Sequence, residues 1–404
     1  MITTPTEASS RDPARTGATA LTVAVIGLFF LWGGITSLND ILIPKLKSLF
    51  VLSYAQAMLV QFAFFTAYAL ISVPAGNWIA RLGYGRGIVL GLAIMAAGCL
   101  LFLPATAFAA FGAFLLALFV LAAGITVLQV AANPLIARLG DPATAHSRLT
   151  FAQAFNSLGT TLFPLLGAQL MLRGEVAEVH TLESSYGGIA ALLLALCVGF
   201  WLVRDRLGRG RSDIEFAGSA ALLREPRLAW GVVTMFLYVG AEVAIGSVLV
   251  NYLIQLHGVG VDVHDAGSFV SIYWGGAMVG RFLGAGLLRL FRPGLVLACA
   301  ALGAAALAAF AAFGDGMPAA VAVLAIGLMN SIMFPTIFAL AVEGLGERTP
   351  QGSGLICMAI VGGAIVPVAA GALADATRLS LGLLLPVACY LGIAAYGRFT
   401  SRQS

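Results

Sequence analysis

The feature that most constrains this chain is the recurrence of apolar stretches long enough to cross a bilayer. A membrane span needs about 20 mostly apolar residues. Breaks at charges and at Gly/Pro clusters divide the 404 residues into twelve such stretches. They cover approximately 20–43, 55–80, 87–104, 107–137, 149–172, 187–203, 228–256, 267–290, 294–313, 317–342, 352–374 and 379–398. In lipid each backbone N–H and C=O needs a partner within its own segment, so all twelve are expected to be helices. The chain is 60% hydrophobic and 10% charged, against about 25% charged in soluble domains. That excludes an ordinary globular enzyme. It also excludes disorder, which requires low hydrophobicity.

Charge placement sets the expected topology. With the N-terminus in the cytoplasm, seventeen of the 22 Lys and Arg fall on the cytoplasmic side, four (Lys45, Lys47, Arg173 and Arg378) on the other, and Arg281 within a span. By the positive-inside rule both termini are then cytoplasmic. The net charge of +4 is spread over many loops, which is no nucleic-acid footprint. The longest polar stretch divides the chain. We read 1–19 as a cytoplasmic tail, 20–203 as a first six-helix half, 204–227 as a solvated cytoplasmic linker, 228–398 as a second half and 399–404 as a tail. The five cysteines lie in apolar stretches and read as buried small hydrophobes.

The halves look like repeats. FNSLGTTLFPLLGAQL and MAIVGGAIVPVAAGAL align without gaps, placing Gly159 on Gly362 and Pro164 on Pro367. Gly76 precedes Arg81 with the spacing by which Gly284 precedes Arg289, and Pro134 and Pro335 interrupt the fourth and tenth stretches in similar places. Three matches in the same order favour duplicated six-helix halves.

Ionisable groups inside a span cost at least about 2.5 to 3.5 kcal/mol near its centre, so they usually face a bundle interior or a watery cavity. Three stand out. Asp40 ends a stripe of Gly33, Thr36 and Ser37 suited to lining a solute cavity; the alternative is an interfacial carboxylate paired with Lys45 or Lys47. Glu242 lies halfway along its span on a stripe with Tyr238 and Gly246. A carboxyl at that depth needs a cation or a strong donor to stay charged, which makes it a candidate proton carrier or sodium ligand; the alternative is a structural carboxyl. Arg281, toward the cytoplasmic end of its span, reads as snorkelling or as bonding helix-end carbonyls in a gate.

Polar stripes mark two adjacent helices. Thr126, Gln129 and Asn133 lie at i, i+3 and i+7, as do Gln153, Asn156 and Thr160. Such residues can join helices. They also suit a polyhydroxylated ligand, whose hydroxyls need donors and acceptors. Trp274 could stack on the apolar face of a sugar or simply pack, and Asn330 offers a further amide. No GxxxxGK[ST] or HExxH motif is present, and the four histidines, read as loop residues, form no ligand spacing. No metal site, no cofactor and no enzyme activity are expected.

Several of these residues sit in recognisable strings. Gly76 to Arg86, GNWIARLGYGR, resembles the major facilitator loop motif GxxxDRxGxR[RK]: Gly76, Arg81, Gly83 and Arg86 match, while Ala80 replaces the family acid. LNDILIPKLK, VQFAF, PAG, QVAANP and RLTFAQAFNSLGTTLFPLLGA resemble the fucose permease family of sugar transporters, over about residues 27 to 395. The resemblance implies a major facilitator fold and cation-coupled monosaccharide import across a bacterial inner membrane. It maps Asp40 onto an essential first-helix aspartate, and Gln153 and Asn156 onto sugar-contacting amides. Gln129 replaces a proton-transferring glutamate, so that route cannot be copied. GITVLQVAANP and YVGAEVAIGSVLVNYL look like the glucose/galactose branch, where the seventh-helix acid is present.

The reading is therefore an all-α membrane protein of twelve helices that imports a hexose by H⁺ or Na⁺ symport with alternating access. Asp40 and Glu242 are the candidate coupling groups. Thr36, Ser37, Gln129, Asn133, Gln153, Asn156, Tyr238, Trp274 and Asn330 are the candidate sugar ligands. Gly76, Arg81, Gly83, Arg86 and Arg281 are the candidate gate residues. N-acetylglucosamine, mannose or fucose are alternative cargoes, and drug export on the same fold is a weaker reading, since its pocket should be mainly apolar. The partners expected are the monosaccharide and the lipid bilayer, with no nucleic acid, and the chain is read as a monomer.

Overall fold

The computed structural model describes the backbone of residues 13–50, 54–108, 110–171, 180–208, 219–256 and 263–402, and within these the side chains of 19–38, 50, 59–108, 110–164, 183–208, 219–256 and 269–402. Fourteen α-helical pieces appear among the described residues. They are α1 (Pro13–Phe50), α2 (Tyr54–Leu82), α3 (Tyr84–Ala107), α4 (Phe111–Arg138), α5 (Ala145–Met171), α6 (His180–Val203), α7 (Pro226–Gln255), α8 (Val263–Leu290), α9 (Pro293–Phe313), α10 (Gly316–Asn330), α11 (Met333–Val342), α12 (Thr349–Met358), α13 (Gly362–Ala376) and α14 (Leu384–Ser401). α10 with α11 and α12 with α13 are broken halves of single spans, which leaves twelve helices. Ten are long and apolar enough to cross a membrane. The other two, α5 and α8, have ends outside the described side chains and carry the amide stripe and Arg281.

α1 starts inside the stretch read as a polar tail. His146 and His180 belong to helices α5 and α6, not to loops. The cysteines are all free thiols; Cys99, Cys357 and Cys389 are buried, and Cys299 is exposed on the surface of α9. The turn between α2 and α3 is so short because Gly83 takes φ 88°, a region that costs a glycine little.

Lipid offers no hydrophobic drive for helices to associate, so close backbone approach through small residues does that work. A Cβ on Gly159 would run into the Phe30 carbonyl of α1, and one on Gly34 into the Phe163 ring. In the second half a Cβ on Gly362 would run into the Phe236 carbonyl of α7, and one on Gly240 into Val366. Gly159 and Gly362, the pair aligned in the sequence, therefore make matching contacts, one between α1 and α5 and one between α7 and α13, and Gly34 and Gly240 sit in the same two seams. Aligning Gly34 with Gly240 places Thr36 of α1 at the position of Glu242 of α7.

The prolines have local consequences. Proline has no N–H, so the carbonyl four residues earlier loses its helical partner. Pro134 in α4 frees the Val130 carbonyl, which accepts from Ser353 Oγ of α12 at 3.0 Å. Pro335 in α11 frees the Ser331 carbonyl at the α10–α11 break, which accepts from Arg281 Nε at 3.2 Å. The neighbouring Asn330 carbonyl lies 3.3 Å from the Tyr238 hydroxyl.

Candidate functional site

Polar side chains from α1, α2, α4 and α5 meet at mid-depth on one side. Gln129, buried, donates from Nε2 to the Tyr68 hydroxyl at 2.7 Å. Gln153 Nε2 donates to Asn133 Oδ1 at 3.2 Å. Asn156 Nδ2 donates to the Phe29 carbonyl of α1 at 3.0 Å. Ser37 spends its hydroxyl on the Gly34 carbonyl, Thr126 on Ala122 and Thr160 on Ser157. Part of the stripe is thus helix-joining or locally satisfied. What stays open is specific: Thr36 Oγ1 and Asn133 Nδ2 are buried without a hydrogen-bond partner. An unpaired buried polar group costs about 1–3 kcal/mol, so both suit a ligand hydroxyl. The Asp40 side chain lies outside the described residues.

The opposite wall comes from α7, α8, α10 and α14. Glu242 Oε1 accepts from the Tyr238 hydroxyl at 2.7 Å, one turn away on the same face. Asn330 Nδ2 donates to the Tyr273 hydroxyl at 3.0 Å. Asn330 Oδ1 and the Tyr390 hydroxyl are buried without partners. Trp274 is 41% exposed, lies edge-on to Tyr273 and comes within 3.5 Å of a Cβ built on Gly246. Tyr68, Tyr273 and Tyr390 escaped the sequence reading. Their signal was a tyrosine on an otherwise apolar helix, where a hydroxyl in hydrocarbon must find a partner.

Arg281 joins the two walls. Besides the Ser331 carbonyl, its Nη1 donates to the Gln153 carbonyl at 3.3 Å and to Ser157 Oγ, both on α5. It lies close enough to Glu242 to act on it electrostatically. A single guanidinium therefore bonds the helix break, the amide helix and the neighbourhood of the membrane carboxyl.

The cytoplasmic side is closed by further bonds between the halves. Asn77 Oδ1 of α2 accepts from Gln351 Nε2 of α12 at 2.8 Å and from Ser219 Oγ at 2.9 Å. Ser219 is buried, so the stretch 204–227 is not wholly solvated. Ser147 Oγ of α5 donates to the Ala285 carbonyl of α8 at 2.6 Å and accepts from Arg289 Nε at 3.1 Å. Gly76 has no room for a side chain beside Pro350 and Gly354. In the loop motif, Arg86 pairs with Asp205 at 3.6 Å, and Ala80, at the acid's position, is buried. Arg81 is exposed. Among the described residues, the hydrogen bonds between the halves lie in the cytoplasmic half or near mid-depth, which closes the cytoplasmic side.

Known proteins share this architecture. The Major Facilitator Superfamily model matches residues 24–367. A glucose/galactose transporter of Brucella abortus biovar 1 (strain 9-941) is 47% identical, over 98% of this chain and 97% of its own. The L-fucose-proton symporter of Escherichia coli (strain K12) is 34% identical, over 93% and 92%. The crystal structure of FucP, a Major Facilitator Superfamily transporter, in the outward conformation superposes with TM-score 0.86 and 32% identity, over 95% and 99%. The repeated halves, the multi-pass helical build and these matches agree: the chain belongs to the major facilitator superfamily of membrane transporters.

Proposed function

We propose that the chain imports a hexose of the glucose/galactose class by symport with H⁺ or Na⁺ across a bacterial plasma membrane, working as a monomer. The two six-helix units, 20–203 and 228–398 joined through 204–227, rock about a site at mid-depth. The observation that carries the reading is the pair of facing walls. One holds an amide, Asn133, and a threonine, Thr36, with unsatisfied hydrogen-bonding groups. The other holds a membrane carboxyl bonded to a tyrosine, and Arg281 reaches from that wall to the amide helix. An unpaired set of donors and acceptors suits sugar hydroxyls; an apolar drug would leave them all unsatisfied. The similarity to the Brucella glucose/galactose transporter supports the cargo class.

In this reading Thr36, Asn133 and Gln153 on one side, with Asn330 and Tyr238 on the other, bind the sugar, and Trp274 offers a stacking face. Gln129 cannot carry a proton, so coupling falls to Asp40 and Glu242. The test is uptake of a panel of glucose, galactose, mannose, N-acetylglucosamine and fucose into sealed proteoliposomes, with pH and sodium gradients imposed separately. Glu242→Gln, and Asp40→Asn alongside it, should abolish uphill accumulation while leaving sugar exchange across an equilibrated membrane. Exchange survives because it does not require the empty carrier to reorient. A Glu242→Gln protein that still concentrates sugar removes Glu242 from the coupling.

A further inference from the structure

The second half carries a cleft on its outer surface. α8, α9 and α10 enclose about 460 Å³, walled by Leu283 and Leu287 of α8, Leu295 and Cys299 of α9, and Leu328 and Met329 of α10. Ser331 brings the one hydroxyl among the described lining residues. Gly280 and Gly284 also line it, where α8 lies too close to Ser331 and Ile332 for a side chain of its own. α9 packs on α8, α10, α11 and α14, all of the same half. A cleft along α9 therefore opens toward lipid, away from the site between the halves.

Its depth matches one leaflet. It runs from Phe291, at the α8–α9 turn on the cytoplasmic side, to Ala300 of α9 and to Ile332 in the α10–α11 break near mid-depth. From Arg292 to Ala300 the helix rises about 12 Å, against about 15 Å of hydrocarbon in one leaflet. An apolar slot of that depth suits an alkyl chain. A polar solute would leave its hydrogen-bonding groups unpaired there.

The mouth of the cleft is cationic. Arg292, exposed at the start of α9, stands between Phe291 and Leu295, and both of these line the cleft. α14 ends beside it, since a Cβ on Gly294 would run into the Gly397 carbonyl and the Thr400 hydroxyl. On the same end of α14, Arg398 and Arg402 are exposed and line a second cavity with Phe399. Among the described residues no ion pair or hydrogen bond engages the guanidinium of Arg292, Arg398 or Arg402. No Asp or Glu occurs between Asp265 and Asp315, nor after Asp375. Glu343, at the end of α11, is paired with Arg227 at 3.2 Å. Arginines are common on the cytoplasmic side of membrane proteins. What sets this corner apart is three of them without a counter-charge, above a slot of hydrocarbon.

We propose that this corner binds an anionic phospholipid of the cytoplasmic leaflet, with one acyl chain in the α8–α9–α10 cleft and its phosphate on Arg292, in the field of Arg398 and Arg402. A phosphodiester presents two acceptor oxygens that match the guanidinium fork. Basic pockets between helices on this side of a membrane favour such headgroups. Phosphatidylcholine carries the same phosphate, but its ammonium meets the three arginines as a like charge, so the site selects phosphatidylglycerol. The inference is independent of the cargo and of the coupling ion.

The test is native mass spectrometry of the delipidated full chain in a non-ionic detergent. It is titrated with dioleoyl phosphatidylglycerol, dioleoyl phosphatidylcholine, or glycerophosphoglycerol, the headgroup without chains. Wild type should bind its first phosphatidylglycerol at least about fivefold more tightly than phosphatidylcholine, and glycerophosphoglycerol not at all. Arg292→Gln should lose about fivefold toward phosphatidylglycerol, the effect of one basic residue near an anionic surface. Arg224→Gln, which removes an exposed cytoplasmic arginine elsewhere, should change it less than about twofold. Cys299→Phe puts a ring where the chain lies and should weaken the first adduct of both lipids well beyond that control. Leu295→Trp, at another exposed position in the cleft, gives the same reading if Cys299→Phe fails to fold. Arg398→Gln with Arg402→Gln should lower the preference for phosphatidylglycerol further, and an unchanged preference removes α14 from the site. Wild type without a preference, Arg292→Gln or a cleft-filling variant that binds like wild type, or equal losses in Arg292→Gln and Arg224→Gln each overturns the proposal. An adduct with glycerophosphoglycerol overturns it in favour of a soluble phosphate ligand.

Discussion

Arg281→Gln gives the sharpest account of what closes the site from below. The guanidinium makes three described bonds: to the Ser331 carbonyl on its own half, and to the Gln153 carbonyl and Ser157 Oγ on α5. The first does not depend on the gate, since it lies within one half and Pro335 frees that carbonyl in either state. The other two exist only while α5 and α8 meet on the cytoplasmic side. A hydrogen bond from a charged group contributes about 1.5–3 kcal/mol. Water reaches these groups once the gate opens, so we take a combined loss of about 2 kcal/mol for the closed state. That is roughly a thirtyfold shift toward the inward-open carrier, at 1.4 kcal/mol per factor of ten. The assay is a spin-label distance at fixed pH between Leu82 and Leu290, both exposed at cytoplasmic helix ends on opposite halves, paired with external sugar affinity, which should fall with the outward-open fraction. A double-mutant cycle with Glu242→Gln separates the strut from a charge partner. If Arg281 acts only as a strut, the two effects add; if Glu242 depends on its charge, the double variant is milder than the sum. An Arg281→Gln protein that folds normally with an unchanged closed fraction refutes the reasoning.

Asn133→Ala and Gln153→Ala should each weaken sugar binding by roughly 1 to 3 kcal/mol, as a buried hydroxyl loses its partner. Asn156→Ala should also lower the thermal midpoint, because its amide holds the Phe29 carbonyl; calorimetry showing unchanged binding in all three would make the stripe helix-joining only. Gly159→Ala and Gly362→Ala should each cost about 1–3 kcal/mol through overpacking, read as lower melting temperatures, while Gly187→Ala, with open space around its Cβ, should not change the melting temperature.

The spans, the orientation and the repeat were legible because lipid leaves so few options: apolar length fixes helices, arginine placement fixes sides, and Gly159–Gly362 with Pro164–Pro367 at one offset mark the duplication. Glu242 and Arg281 were legible as charges where charges are costly. Their link was not, because α8 reaches α5 only through tertiary packing. The two stripes were read as joining helices or as suiting a polyhydroxylated ligand, yet Gln129, Gln153 and Asn156 bond three different neighbours, and helical spacing cannot say which amide has spare capacity. His146 was misread as a loop residue, since Gly140, Asp141 and Pro142 look like the start of a longer turn. Arg227 was read as part of a solvated linker, although α7 already begins at Pro226.

The prolines show how one local rule reaches the mechanism. In the sequence Pro134 and Pro335 serve only as marks of duplication. In the structure each removes one N–H from its helix and leaves one carbonyl in hydrocarbon, where an unpaired group costs several kcal/mol. The Val130 carbonyl is satisfied by Ser353 of the opposite half, and the Ser331 carbonyl by Arg281, which continues to α5. The bond from Ser353 must break when the cytoplasmic side opens, and water entering the new opening can take its place. Closing expels that water and restores the protein partner. The carbonyl is thus paired in both states, by side chain in one and by solvent in the other. The missing N–H confers a gate contact that can be remade without stranding a polar group in the membrane. A residue with an N–H at position 134 of α4 would have kept the Val130 carbonyl bonded inside its own helix, and Ser353 would have had nothing to hold.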